Sequence, residues 1–239
     1  MARQASGSIP SQVDYNYIWG DALQVLEEMG PALRIINLET SVTLSEDYAP
    51  KGIHYRMHPG STGVLVAAGI DACVLANNHV MDWGASGLLE TVDTLRSAGI
   101  RTAGAGGELR RARAPAVLEA ESDGRVLLFA FCTRDSGVPS DWAAGVGKPG
   151  VDLLPDLSSR TVAAIARRVE AERKPGDLVV ASIHWGGNWG YAVPKSHRSF
   201  AHGLIEEAGV HLLHGHSSHH PMGMEVHQGH LILYGAGIS

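Results

Sequence analysis

Short apolar runs alternate along this chain with stretches of helical length that carry one apolar face. Residues 33–37, 72–76, 125–132, 178–183, 210–213 and 231–234 read as strands, and residues 17–29, 61–68, 85–98, 158–172 and 197–208 as helices. Such alternation arises when crossover helices link the strands of one sheet, so an α/β fold is expected. Leu88, Leu89, Val92 and Leu95 make an apolar helix face, and Gly99 is expected to end that helix in the left-handed conformation. Gly176-Asp177 punctuates the junction between the helix ending near Glu172 and the next strand, while the Gly-rich stretch 136–150 reads as a mobile surface loop. No repeat, linker or low-complexity segment divides the chain, which reads as one domain over residues 1–239.

Composition narrows the partners. The net charge is −6 with both signs scattered, so no basic stripe exists to neutralise a nucleic-acid backbone. No apolar run reaches the ~20 residues that cross a bilayer, and Met1 to Ser8 lack the apolar centre of a signal peptide. A soluble, cytoplasmic protein without a transmembrane segment is the expectation. Cys73 and Cys132 lie inside apolar stretches and are expected to be core thiols. Histidine changes the picture most: there are 13, and seven of them fall between His211 and His230. Imidazole is the commonest side-chain ligand for transition metals, so a metal site is implied.

The polar chemistry collects in four places, each after an apolar run. Ligands gather beyond the carboxyl ends of strands in α/β sheets, because the backbone fans open there. Asn37-Leu-Glu39 follows the first run and presents a carboxylate, although a surface turn or helix cap would use the same residues. Asn77-Asn78-His79 with Asp82 follows the second. There an amide oxygen can ligate a metal, an imidazole can carry a proton, and a carboxylate can fix that imidazole's tautomer. A capped turn is the plainer alternative. His184-Trp185-Gly-Gly-Asn188-Trp-Gly-Tyr191 ends the fourth run and offers a histidine with pocket-lining aromatics and an amide. His214-Gly-His216-Ser-Ser-His219-His220 is the strongest signal, with Gly and Ser giving the backbone freedom to bring two imidazoles onto one ion. His54, His58, His197, His202, His211, His227 and His230 read as surface or helix-face residues. His58 stands somewhat apart through its neighbour Arg56, which can clamp an anion by bidentate hydrogen bonds.

These motifs, in this order, resemble those of the CapA-like family of capsule and poly-γ-glutamate synthesis proteins, within the calcineurin-like metallophosphoesterases. The resemblance runs from about Tyr17 to Ser239 and also takes in Glu225-Val226 and Leu231 to Gly237. It implies a four-layer α/β/β/α metallophosphoesterase-like sandwich holding a dinuclear divalent-metal centre of Mn, Fe, Zn or Co. It further implies that Glu39 is the bridging carboxylate, that Asn78, His184 and His216 serve the second metal, and that His219 serves the first. His79 would then protonate the leaving group, oriented by Asp82. Asn37, Arg56, Trp185, Asn188 and Tyr191 would line the substrate.

Two departures accompany the resemblance. No Gly-Asp follows an N-terminal apolar strand, because Gly20-Asp21 sits in a helical stretch, so the first strand of the fold is expected to be missing together with its metal-ligating Asp. The chain also stops soon after Gly237, and so reads as truncated at both ends. The expected function is hydrolysis of a phosphate ester or related small anionic substrate by metal-activated water. Two alternatives are an impaired metal- or anion-binding protein on the same fold, and a metal-dependent hydrolase or ligase of γ-glutamyl, peptide-like substrates.

Overall fold

The computed structural model describes residues 13–120 and 124–237. The expectations about Met1 to Ser8 and about the end of the chain beyond Gly237 lie outside those residues. In the first half the strands are β1 (Ile35–Asn37), β2 (Ser41–Val42), β3 (Arg56–Met57), β4 (Ala72–Val74), β5 (Arg101–Ala103), β6 (Ala105–Gly106) and β7 (Ala116–Ala120). In the second they are β8 (Gly124–Cys132), β9 (Gly150–Val151), β10 (Leu178–His184), β11 (Leu212–His216), β12 (Met224–His227) and β13 (His230–Leu233). The helices are α1 (Ala22–Met29), α2 (Gly63–Ala67), α3 (Gly84–Ser97), α4 (Leu109–Arg113), α5 (Ser159–Glu172) and α6 (Lys195–Glu206).

The result is a mixed α/β fold with two principal sheets. A three-stranded parallel sheet has the order β1-β4-β5, and a six-stranded sheet has the order β12-β13-β11-β10-β8-β7. Within the larger sheet β8, β10, β11 and β13 are parallel, whereas the edge strands β7 and β12 pair antiparallel. Helix α5 links β8 to β10 and α6 links β10 to β11, as parallel neighbours require.

Strand β8 shows why the sheet is buried on both faces. Val126, Leu128, Ala130 and Cys132 enter one core cluster, while Leu127, Phe129 and Phe131 enter a second, following the two-residue period of a strand. The second cluster joins these to Val162, Ile165 and Val169 of α5 and to Phe200, Ala201, Leu204 and Ile205 of α6. The first joins the inner residues of β8 to Ala72, Cys73 and Val74 of β4, Leu65 of α2, and Leu88 and Leu95 of α3. Helix α5 starts at Ser158, whose Oγ accepts from the Thr161 N–H. The backbone turns left-handed at Gly99 directly after α3, as expected, and Cys73 and Cys132 are free, buried thiols.

Several expectations are corrected. Residues 17–29 are a 3-10 turn (Tyr17–Trp19) followed by α1, because Gly20 takes φ +50° and breaks the helix. Asp21 stands at the residue before α1, makes no side-chain capping bond and is exposed. The inward face of α3 is Leu88, Thr91 and Leu95, whereas Leu89 turns outward. Thr91 is accommodated because its Oγ1 accepts from the Val42 N–H and donates to the Gly87 carbonyl. The stretch 136–150 is packed down by buried Val138 and Trp142 rather than free on the surface. Most important for the site, β11 begins two residues later than expected and runs to His216, so His214 and His216 lie on the strand and not in the loop after it.

A polar site between the two sheets

On the first sheet, β1 ends at Asn37, whose Nδ2 donates to Glu39 Oε2 at 2.9 Å. Asn77, past the end of β4, donates to Asn37 Oδ1 and to the Leu38 carbonyl, and its own Oδ1 accepts from the His79 and Val80 N–H groups. This fully buried amide therefore shapes the turn that presents Asn78 and His79. Asp82 is also fully buried and accepts three bonds: from His79 Nδ1 at 2.7 Å, Lys51 Nζ at 2.7 Å and the Tyr55 N–H at 2.7 Å. Burial alone pushes this carboxyl up, but the three donors together hold it below its ordinary value. With Nδ1 committed to Asp82, Nε2 is the nitrogen of His79 left to exchange a proton. Lys51 also bonds the Asn78 carbonyl at 2.6 Å and lies 3.4 Å from His79 Nδ1.

On the six-stranded sheet, Ser182, His184, His214 and His216 occupy the same two-residue alternation as the inner residues of β8. Ser182 Oγ is 3.0 Å from both His214 Nδ1 and His216 Nε2, and His184 Nδ1 is 2.8 Å from His216 Nδ1. Gly215 between the two histidines is obligatory, since a Cβ there would lie 2.4 Å from the Tyr234 carbonyl oxygen. Burial drives the His184 pKa down to about 3 and that of His216 well below 6.5, so both imidazoles are neutral, the form that ligates metals.

The two halves face each other. His184 Nε2 lies 3.9 Å from Glu39 Oε1. Burial raises the Glu39 pKa, partly offset by the charges of His79, His219 and Lys51 and by the bond from Asn37. Among the described residues, two polar atoms in this region, His184 Nε2 and Asn78 Oδ1, are buried without a hydrogen-bond partner. A buried polar atom left unpaired costs about 1–3 kcal/mol, so each is a place where a ligand would be gained. Neutral imidazole, amide oxygen and one carboxylate form a donor set that suits a divalent transition ion. Beyond β11 the chain turns at Ser217, whose φ of +108° is strained for a residue with a side chain and is secured by its Oγ bond to the Gly186 carbonyl.

The other expected residues divide. His219 is half-buried, its N–H donates to the Asn188 carbonyl, and its ring lies 5.5 Å from that of exposed Trp189. Exposed Tyr191 packs edge-on against His220 at 4.4 Å, so Asn188, Tyr191 and His219 share one rim. Trp185 does not: one residue past His184 it points to the opposite face of the sheet, buried against His197 and donating to the Tyr234 carbonyl. Its pocket-lining role is thereby withdrawn; His197, expected on the surface or a helix face, lies on the inward face of α6, buried and bonded to Asp135. Arg56 stacks on Trp83 at 4.1 Å and donates to the Ser45 carbonyl. His58 caps a 3-10 turn by accepting from the Gly60 N–H. Lys51 and Ser182 join the site unforeseen, while Asn77 and His214, both inside the quoted motifs, take places there to which no role was assigned. Asn77 was visible in its motif, but nothing in the local sequence marks Lys51.

A histidine-rich site at the carboxyl ends of parallel strands, facing a carboxylate-histidine pair on a second sheet, defines the class of this α/β protein. The chain belongs to the bacterial capsule synthesis protein family PGA_cap, which matches residues 1–237. It is 44% identical over 239 residues to a probable polyglutamine synthesis accessory protein of Mycobacterium tuberculosis (strain ATCC 25618 / H37Rv), covering 99% of this chain and 63% of that protein. It is 29% identical to the PGA biosynthesis protein CapA of Bacillus subtilis (strain 168), over 84% of this chain and 51% of the relative. With the capsule biosynthesis protein CapA of Bacillus anthracis the identity is 25%, over 79% and 44% of the two chains. The chain thus spans between two fifths and two thirds of the length of these relatives. Among the described residues no helix is long and apolar enough to cross a membrane.

Proposed function

We propose that this chain is a metal-dependent hydrolase domain that cleaves a phosphate ester or related anionic group during synthesis of a capsule or poly-γ-glutamate-type polymer. The observation that carries the reading is the pair of orphaned buried acceptors, Asn78 Oδ1 and His184 Nε2, the latter 3.9 Å from the Glu39 carboxylate. Asn78, His184, His216, Glu39 and His219 would hold one or two divalent ions. Such ions supply Lewis-acid polarisation of the substrate and activation of water. The protein's own part is proton handling: Asp82 and Lys51 fix the His79 ring so that Nε2 can give a proton to the leaving oxygen. Glu39 supplies negative charge against the cations, and Asn37 keeps that carboxylate turned inward. The succession of α2 and α3, the three-stranded sheet, the six-stranded sheet, then α5 and α6 supports a four-layer metallophosphoesterase-like sandwich. The names of the relatives support the pathway.

Metal content and hydrolysis of an aryl phosphate by Mn- or Zn-loaded protein test the proposal together. His79→Asn is expected to keep its metal and lose about 10²–10⁴-fold in kcat, whereas Glu39→Ala loses both metal and activity. A wild-type chain that takes up no metal at this site would overturn the reading and leave an anion-binding protein on the same fold.

A further inference from the structure

A second group of metal-ligating side chains lies on the outer side of the six-stranded sheet. His202, Glu225 and His227 offer one donor atom each, and these atoms all fall within 4.8 Å of one another. The elements arrange this by their own periods. His202 and Glu206 are four residues apart and share one face of α6, while Glu225 and His227 are two apart and share one face of β12. His202 Nε2 is hydrogen-bonded to Glu225 Oε1, and His227 Nε2 to Glu206 Oε1 at 2.7 Å. The two imidazoles are stacked with centroids 3.8 Å apart and planes within 3°. Arg198 Nε lies 3.5 Å from Glu225 Oε2, leaving Oε1 on the histidine side.

What β12 needs explains why the cluster matters. It is an edge strand, and its other face carries Met224 and Val226, 70% and 69% exposed. The face it turns to α6 is therefore Glu225 and His227, so polar groups dock this edge where an apolar layer docks the rest of the sheet. Glu206 and Glu225 bring two negative charges, one of them partly offset by Arg198, on partly exposed side chains that a cation reaches from solvent.

We propose that His202, Glu225 and His227, with Glu206 as fourth donor, bind a borderline transition dication such as Zn²⁺, clipping β12 to α6. Two imidazole nitrogens and two carboxylate oxygens meet the four-coordinate preference of zinc. The hydrogen on each Nε2 is displaced as that nitrogen takes the metal, passing to Nδ1 or to solvent. The clip holds the strand that follows directly on the loop bearing His219 and His220, and it shares no ligand with the strand-end site.

Zinc titration of the His184→Leu protein, made throughout in a Glu39→Ala background so that the strand-end site loses both its carboxylate and an imidazole, tests this without any activity readout. Calorimetry is expected to give one Zn²⁺ per chain and the thermal midpoint to rise by several degrees. Cobalt substitution should give the visible absorption of a tetrahedral site. H202Q/H227Q retains amide hydrogen bonds to both carboxylates but is a poor ligand set, and adding it should abolish the zinc-dependent shift. No zinc-dependent shift in His184→Leu, or one that survives H202Q/H227Q, overturns the proposal. Should the combined variant fail to fold, X-ray absorption of zinc-loaded His184→Leu must show two imidazoles with oxygen ligands. A sulfur ligand or a single imidazole would overturn it equally.

Discussion

The two faces of the six-stranded sheet are made from the same strands and do opposite things. On the outer face β10 presents Val179, Ala181 and Ile183, apolar to the end of the strand and covered by α5 and α6. On the inner face the same strand begins with Val180 and then changes to Ser182 and His184, and β11 likewise changes from Leu212 to His214 and His216. One face stabilises the fold throughout its length. The other gives up hydrophobic burial over its last residues to hold neutral imidazoles in a site with two unpaired acceptors. Stability and chemistry are thus separated by the direction in which alternate side chains point.

Removing outer-face volume should have the largest effect. Phe131→Ala, at a fully buried position, is expected to destabilise by about 3–5 kcal/mol in urea unfolding. A cost below about 1 kcal/mol would break the contrast, because the outer face would then not be what holds the sheet.

His184→Leu, one register step from Ile183, should behave differently. At pH 7 the metal-free protein is expected to stay within about 1–2 kcal/mol of wild type, since a buried unpaired nitrogen is replaced by carbon while His216 Nδ1 loses its partner. Its acid limb is the sharper test. Burial holds His184 near 3 in the folded chain against 6.5 when free, so between these values the unfolded chain binds the additional proton. The contribution of the neutral ring is complete above about pH 6.5 and is lost as pH falls towards 3. The variant should therefore gain on wild type by on the order of 3 kcal/mol between pH 7 and pH 4. Parallel stability curves in the two proteins would sink this account.

The smallest effect belongs to Ser182→Ala, which removes the hydroxyl shared by His214 and His216. It is expected to cost about 1 kcal/mol, measured in the metal-free protein, and to weaken metal binding by loosening His216. A Ser182→Ala protein with unchanged metal affinity would show that His216 is held by His184 alone.

Reading the sequence went furthest where a local period carried the information. The principal strands and helices were visible because burial on one or both faces writes a pattern into consecutive residues, and Glu39, Asn78, His79, Asp82, His184 and His216 were visible because each follows such a run. Trp185 was misplaced for the same reason that His184 was placed correctly: adjacent residues take opposite faces of a strand, and that alternation carries over to Trp185, one residue past the end of β10. Strands of two residues, such as β2, β3 and β6, have too little length to show a period, so they went unseen.

The sequence by itself determined the α/β class, the buried thiols, the order of the chemical motifs and their place at strand ends, since each is a property of a few neighbouring residues. Only the tertiary structure decided which side chains meet. It brought Lys51 to Asp82 across 31 positions and Ser182 to His216 across 34, and it paired His202 with Glu225 across 23. Such contacts are set by the packing of one sheet on another and of a helix on an edge strand. No stretch of chain short enough to carry a periodic signal contains both partners.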